Sequence, residues 1–193
     1  MKTTRTAVAA LLAAGALVAT APLYAQKKPK PEHACIGVAV GSKQKLGKNG
    51  KDANEQEFEN GIVSFSATKV LDVDFAVVFS PQVAAQFTNV HVVEFRLFTP
   101  QGNLYQSISI PMTSDAARAG QSHRVAGYPD LIPIQILQPI NHGLGRGMMA
   151  KVTLPVAGTP IVSNSLYGTW TASAVVEDEV APCSTPAQFT ITQ

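Results

Sequence analysis

The sequence predicts an all-β protein, an antiparallel β-sandwich of about seven to nine short strands. Three observations carry that expectation. Apolar and polar residues alternate with period two in several segments of strand length. Turn residues punctuate the intervals between them. Past the first 25 residues, no window of helical length carries an apolar stripe of period 3.6. A strand with one wet face places successive side chains on opposite sides, and a series of such strands separated by turns buries its inner faces by pairing two sheets.

Along the chain, "ACIGVAV" is the first apolar segment of the mature protein. In "VLDVDFAVVF", Leu71, Val73, Phe75, Val77 and Phe79 share one side, with Asp72, Asp74 and Ala76 on the other. "HVVEFRLF" sets Val93, Phe95 and Leu97 against Glu94 and Arg96. "MMAKVTL" sets Met148, Ala150, Val152 and Leu154 inward against Met149, Lys151 and Thr153. "TWTASAVVE" sets Trp170, Ala172, Ala174 and Val176 inward against Thr169, Thr171 and Ser173. "QFTIT" closes with Phe189 and Ile191 opposite Thr190 and Thr192. Turns are expected at Pro100-Gln101-Gly102-Asn103, Asn141-His142-Gly143 and Gly158-Thr159-Pro160. Trp170, the only tryptophan, is expected as core filler between the sheets; the competing reading is an exposed ligand platform.

The N-terminus has the order of a secretory signal peptide. A basic head, Lys2 and Arg5, precedes an apolar run from Ala7 to Ala19, and cleavage is expected after Ala25. The run is short for crossing ~30 Å of hydrocarbon, so no membrane-spanning segment is expected once it is removed. The expected organisation is a signal peptide over 1–25, a basic Pro-rich leader over 26–34 and a single sandwich domain over 35–193. The expected localisation is secreted or periplasmic. The net charge of +2 includes Lys2 and Arg5, so the mature chain carries 13 basic and 13 acidic residues. That balance gives no clustered positive excess for nucleic acid.

Two cysteines in an exported chain predict one structural disulfide, Cys35–Cys183. The bond would close nearly the whole mature chain into one loop. Chain-entropy reasoning bounds its stabilisation at on the order of 5 kcal/mol.

The stretch from Leu154 to Asp178 resembles the closing part of bacterial extracellular immunoglobulin-like domains. The matching residues are Leu154-Pro155, Gly158 and Gly168-Thr169-Trp170-Thr171. The resemblance implies an Ig-like version of the sandwich and no particular ligand. Antibody-type domains place their tryptophan between two cysteines that bridge the sheets, whereas here Trp170 lies close to the second cysteine.

Two irregular stretches are the candidate partner-binding surfaces. Gly41 to Gly61 is nearly devoid of apolar residues and divides into a basic block, with Lys43, Lys45, Lys48 and Lys51, and an acidic block, with Asp52, Glu55, Glu57 and Glu59. A solvated loop is the plainer account; long loops on rigid scaffolds also carry binding residues. Thr113 to Asp130 contributes Arg118, His123, Arg124 and Tyr128, with a helical turn expected near Asp115–Arg118.

No catalytic constellation is legible. Gly-x-Ser-x-Gly and His-Glu-x-x-His are absent, and no two of His33, His91, His123 and His142 are spaced as a ligand pair on one element. "GLGRG", Gly143 to Gly147, reads as a flexible turn, because it lacks the Lys-Ser/Thr ending of a phosphate loop. Asp72 with Asp74, and Glu177-Asp178-Glu179, are the places where calcium could be considered. No cofactor is expected. The sequence therefore points to an exported, non-enzymatic module that interacts with an envelope or extracellular protein or glycan, or plays a structural part there. A carbohydrate-binding module would use Tyr105, Tyr128 and Tyr167 on one exposed face. An enzyme on a sandwich scaffold would need a pocket with convergent polar groups.

Overall fold

A computed structural model describes residues 31–42, 63–142, 145–177 and 179–193, without the side chains of residues 141, 142 and 145. The expected signal peptide, most of the leader, the charged stretch with Lys43, Lys45, Lys48 and Lys51, and Asp178 lie outside the described residues. The described chain is mostly strand. In order these are β1 Gly37–Gly41, β2 Val63–Ser66, β3 Asp72–Phe79, β4 His91–Phe98, β5 Leu104–Thr113, β6 Ser122–Arg124, β7 Leu131–Pro133, β8 Gln135–Ile136, β9 Gln138–His142, β10 Gly145–Pro155, β11 Gly168–Val176 and β12 Ala187–Thr192. Two four-residue helices, α1 Pro81–Ala84 and α2 Pro160–Ser163, interrupt the strands. Each starts where a hydroxyl residue precedes proline: Ser80 accepts the Val83 N–H and Thr159 the Ile161 N–H. The hydroxyl caps an orphan donor while proline, fixed at a helical φ, needs none.

One sheet runs β1-β3-β10-β9 and the other β2-β12-β11-β4-β5-β8; β6 and β7 form a separate small hairpin. The long pairs are antiparallel, while β2–β12 and β5–β8 are parallel. The strands thus exceed the seven to nine expected. The additional ones are short pieces such as β6, β7 and β8, too brief for alternation to register.

Both sheets contribute to a single main core. Val73, Phe75, Val77 and Phe79 from β3 meet Val93, Phe95 and Leu97 from β4, Trp170, Ala172, Ala174 and Val176 from β11, and Phe189 and Ile191 from β12. Each is an inward residue of the period-two pattern. Trp170 is wholly buried, donates its indole N–H to the Leu166 carbonyl at 2.9 Å and lies edge-on to Tyr105 at 5.2 Å. Cys35 and Cys183 are bonded, and the Cys35 N–H also donates to the Cys183 carbonyl at 3.0 Å.

Several details depart from the sequence pattern. Leu71, expected inward, is exposed and precedes β3. Asp74 and Ala76, expected on a wet face, are fully buried, as is Ser173 nearly so. The hydroxyl of Thr153 on neighbouring β10 donates to the Asp74 carboxylate, so the polar group is satisfied where it sits. Asn141 and His142, expected in a turn, belong to β9, and Gly145 to Gly147 are strand residues of β10 rather than a flexible turn. Gly147 is required there: a Cβ would lie 2.5 Å from the Val78 side chain and 2.8 Å from the Phe79 carbonyl. Among the turns that hold as expected, Gly102 takes φ +81° in the β4–β5 hairpin.

Candidate functional site

The excursion between β5 and β8 carries Arg118, His123, Arg124 and Tyr128. Its first part is the expected helical turn, a 3₁₀ helix over Ala116–Arg118 whose Asp115 side chain accepts the Ala117 N–H at 2.9 Å. Arg118 lies 3.6 Å from Asp115, beyond good hydrogen-bond range. His123 and Arg124 sit on β6, facing Ile132 and Leu131 of β7 in register. Arg124 donates to the Pro129 carbonyl and so ties the turn between the two strands. The Tyr128 hydroxyl accepts the Ser109 N–H at 2.7 Å, capping a donor on the outer edge of β5. Val125 and Ile134 are buried beneath the hairpin. One excursion therefore holds all four predicted residues, but Arg124 and Tyr128 also fasten it to the body.

A cleft of about 580 Å³ opens where the two sheets part beside this excursion. Ile108, Ile110, Ile134, Ile136, Met149 and Val152 form its apolar walls, and Gln135, Gln138, Lys151 and Thr153 its polar ones. The register explains the gap. β9 pairs with β10 only from Gly145 to Met149, so among the described residues the remaining half of β10 has no strand on that side. Gln135 fills the next position: its amide donates to the Lys151 carbonyl at 2.7 Å and accepts the Lys151 N–H at 3.0 Å. One side-chain amide thus stands in for a peptide group of the missing strand. A volume of this size, lined by both apolar and polar side chains, is within the range of small-ligand sites.

A third arrangement lies at the disulfide end. The Glu179 carboxylate accepts from the N–H groups of Glu32, at 3.2 Å, and His33, at 3.0 Å, and from His33 Nδ1 at 2.7 Å. His91 Nδ1 lies 2.7 Å from Glu177 Oε1, although the ring N–H is not aligned on that oxygen. The two imidazoles are 5.6 Å apart between ring centres, and both rest on Phe87, which is fully buried. Each imidazole keeps under a fifth of its side-chain surface exposed.

No local spacing announces this cluster, because His33 lies ahead of β1 and His91 opens β4, far apart in sequence. Two signals nevertheless contain it. The disulfide brings the residues just before Cys35 beside those just before Cys183, which places His33 near Glu179. The β4–β11 register pairs Val93 with Val176, which places His91 near Glu177. Among the described residues, which do not include Asp178 of the second calcium candidate, no three His, Cys, Asp or Glu side chains converge for a metal ion.

On the outer face of β4, Arg96 donates to Glu94 at 2.8 Å. That hydrogen bond, helped by Ser107 and opposed by partial burial, holds the Glu94 carboxyl below the usual carboxylate range. The same bond raises Arg96. The pair is half-exposed and braces the surface of the sheet.

Fold and sites together define a disulfide-closed all-β protein with a cleft at one sheet edge. No family model matches the chain, and no curated protein matches it significantly. Among the described residues no helix is long and apolar enough to cross a membrane.

Proposed function

We propose that the protein is an exported, non-enzymatic Ig-like β-sandwich that serves as an interaction or structural module in the cell envelope or outside the cell. The observation that carries the proposal is the Cys35–Cys183 bond, which joins the start of β1 to the β11–β12 connection across 148 positions. Such a bond persists in oxidising compartments and is rare where thiols are kept reduced. The Ig-like part draws support from strand order. β1-β3-β10-β9 and β12-β11-β4 follow the neighbour order of the two sheets in an immunoglobulin domain, with β5 and β8 added beyond β4 and a parallel β2 added beyond β12. The disulfide and Trp170 differ in position from antibody domains, where the bond joins two strands mid-sandwich and the tryptophan packs on it; here the cysteines lie outside the strands, before β1 and between β11 and β12.

We place binding in the cleft beside Gln135, whose mixed apolar and polar walls suit an extended peptide. The carbohydrate-binding reading gains less. Tyr105 and Tyr167 pack on the main core, and the Tyr128 hydroxyl is engaged with Ser109, so the three rings offer no shared exposed platform.

The test is expression of the whole chain in a bacterial host, followed by fractionation and thiol labelling of unreduced, denatured protein. The expected result is a processed chain outside the cytoplasm with no free thiol. A chain retained in the cytoplasm with two labelled thiols would overturn the proposal.

A further inference from the structure

We infer that His33 and His91 form a binding site for a divalent transition-metal ion, of the Cu²⁺ or Zn²⁺ class. The argument begins with the tether of the first described residues. Three hydrogen bonds to Glu179 hold Glu32 and His33 against the β11–β12 connection, and the disulfide two residues later fixes the same segment again. His33 is therefore held, not loosely presented. His91 opens β4 and rests on the same buried Phe87.

The ring geometry suits a shared ion. With metal–nitrogen bonds of about 2.0–2.1 Å, two imidazoles on one ion at a tetrahedral or slightly wider angle have ring centres roughly 5–6 Å apart. Here the separation is 5.6 Å. The carboxylates lie at the complementary atoms. Glu179 occupies His33 Nδ1 through a hydrogen bond, and His91 Nδ1 is buried 2.7 Å from Glu177 Oε1, so Nε2 is the nitrogen each ring has left for the ion. On His33 the hydrogen-bonded Glu179 carboxylate fixes the tautomer and raises ligand basicity, the usual support of a metal-bound histidine. His91 Nδ1 is shut off from solvent while its side chain keeps 18% exposure, so water reaches the histidine away from Nδ1.

Among the described residues no third His, Cys, Asp or Glu joins them, so these residues supply two nitrogens, and water or a bound partner completes the coordination. Imidazole ligands favour Cu²⁺ over Zn²⁺ and exclude calcium and magnesium, which take oxygen.

The experiment is calorimetric titration of metal-stripped, exported protein with Cu²⁺ and separately with Zn²⁺, joined to electron paramagnetic resonance of the Cu²⁺ form. One ion per chain is expected, tighter for Cu²⁺, with imidazole nitrogen couplings in the spectrum. His33→Ala and His91→Ala should each remove binding in protein whose melting temperature shows that it is folded. Glu179→Gln, which keeps both imidazoles, should weaken binding about tenfold to a hundredfold. His123→Ala should leave it unchanged. Binding that survives both histidine substitutions, or that is lost in His123→Ala, would overturn the inference, as would the absence of stoichiometric binding by wild-type protein.

Discussion

β3 and β4 are both eight-residue strands at interior positions of their sheets, and both alternate in sequence, yet only one alternates in burial. From Val73 to Phe79 every residue of β3 is buried, whereas β4 alternates between buried and half-exposed. Their inward faces are equivalent and feed the same core. The outward faces differ in what surrounds them. Behind β3, Ala76 meets Ala39 with Ile140 and Met149 packed alongside, and Val78 closes on Gly147. Behind β4, Glu94 and Arg96 pair with each other in partial contact with solvent. An inward face is set by the pattern of its own strand, while an outward face depends on what neighbouring strands and connections put over it.

The largest effects should fall on the shared inward face. Phe75→Ala and Phe95→Ala are each expected to cost about 3–5 kcal/mol, and Trp170→Ala a similar amount, because each leaves a cavity among fully buried neighbours. Chemical denaturation measures this, and native Trp170 fluorescence should be blue-shifted. Unequal costs for the two phenylalanines would break the equivalence of the inward faces.

An intermediate effect should separate the outward faces. Val78→Thr places a hydroxyl at a fully buried position and is expected to cost about 1–3 kcal/mol. Glu94→Gln on the half-exposed face of β4 is expected to cost less than about 1 kcal/mol. Comparable melting temperatures for the two variants would mean that the back of β3 is wet after all.

The smallest effect is a pH dependence confined to β4. The Arg96 hydrogen bond lowers the Glu94 carboxyl relative to the unfolded chain. Its contribution is therefore fully present above the ordinary carboxylate range and is lost as pH falls through the depressed folded value. Arg96→Met should be less stable than wild type by under about 1 kcal/mol near neutral pH, and the gap should close on acidification. A gap that widens toward low pH would reverse the sign assigned to the pair.

The candidate sites divide along the same line. Arg118, His123, Arg124 and Tyr128 could be picked out because they cluster in one irregular stretch, and the turn expected near Asp115–Arg118 is the 3₁₀ helix that the Asp115 side chain caps. The cleft was not, because it arises where β9 ends short of β10 and Gln135 reaches across, a fact of register rather than composition. Nor was the meeting of His33 with His91, which takes both a disulfide and a strand pairing to bring about.

By itself the sequence determined the all-β class, the inward residues of the main strands, the burial of Trp170 and the pairing of Cys35 with Cys183. These follow from local alternation and from there being only two thiols to join. Only the tertiary structure decided the strand order, the burial of Asp74, Ala76 and Val78, and the convergence of the two histidines. Each of those depends on which distant segments lie side by side. A period-two pattern states which way a side chain points from its own backbone, and carries no information about what stands opposite it.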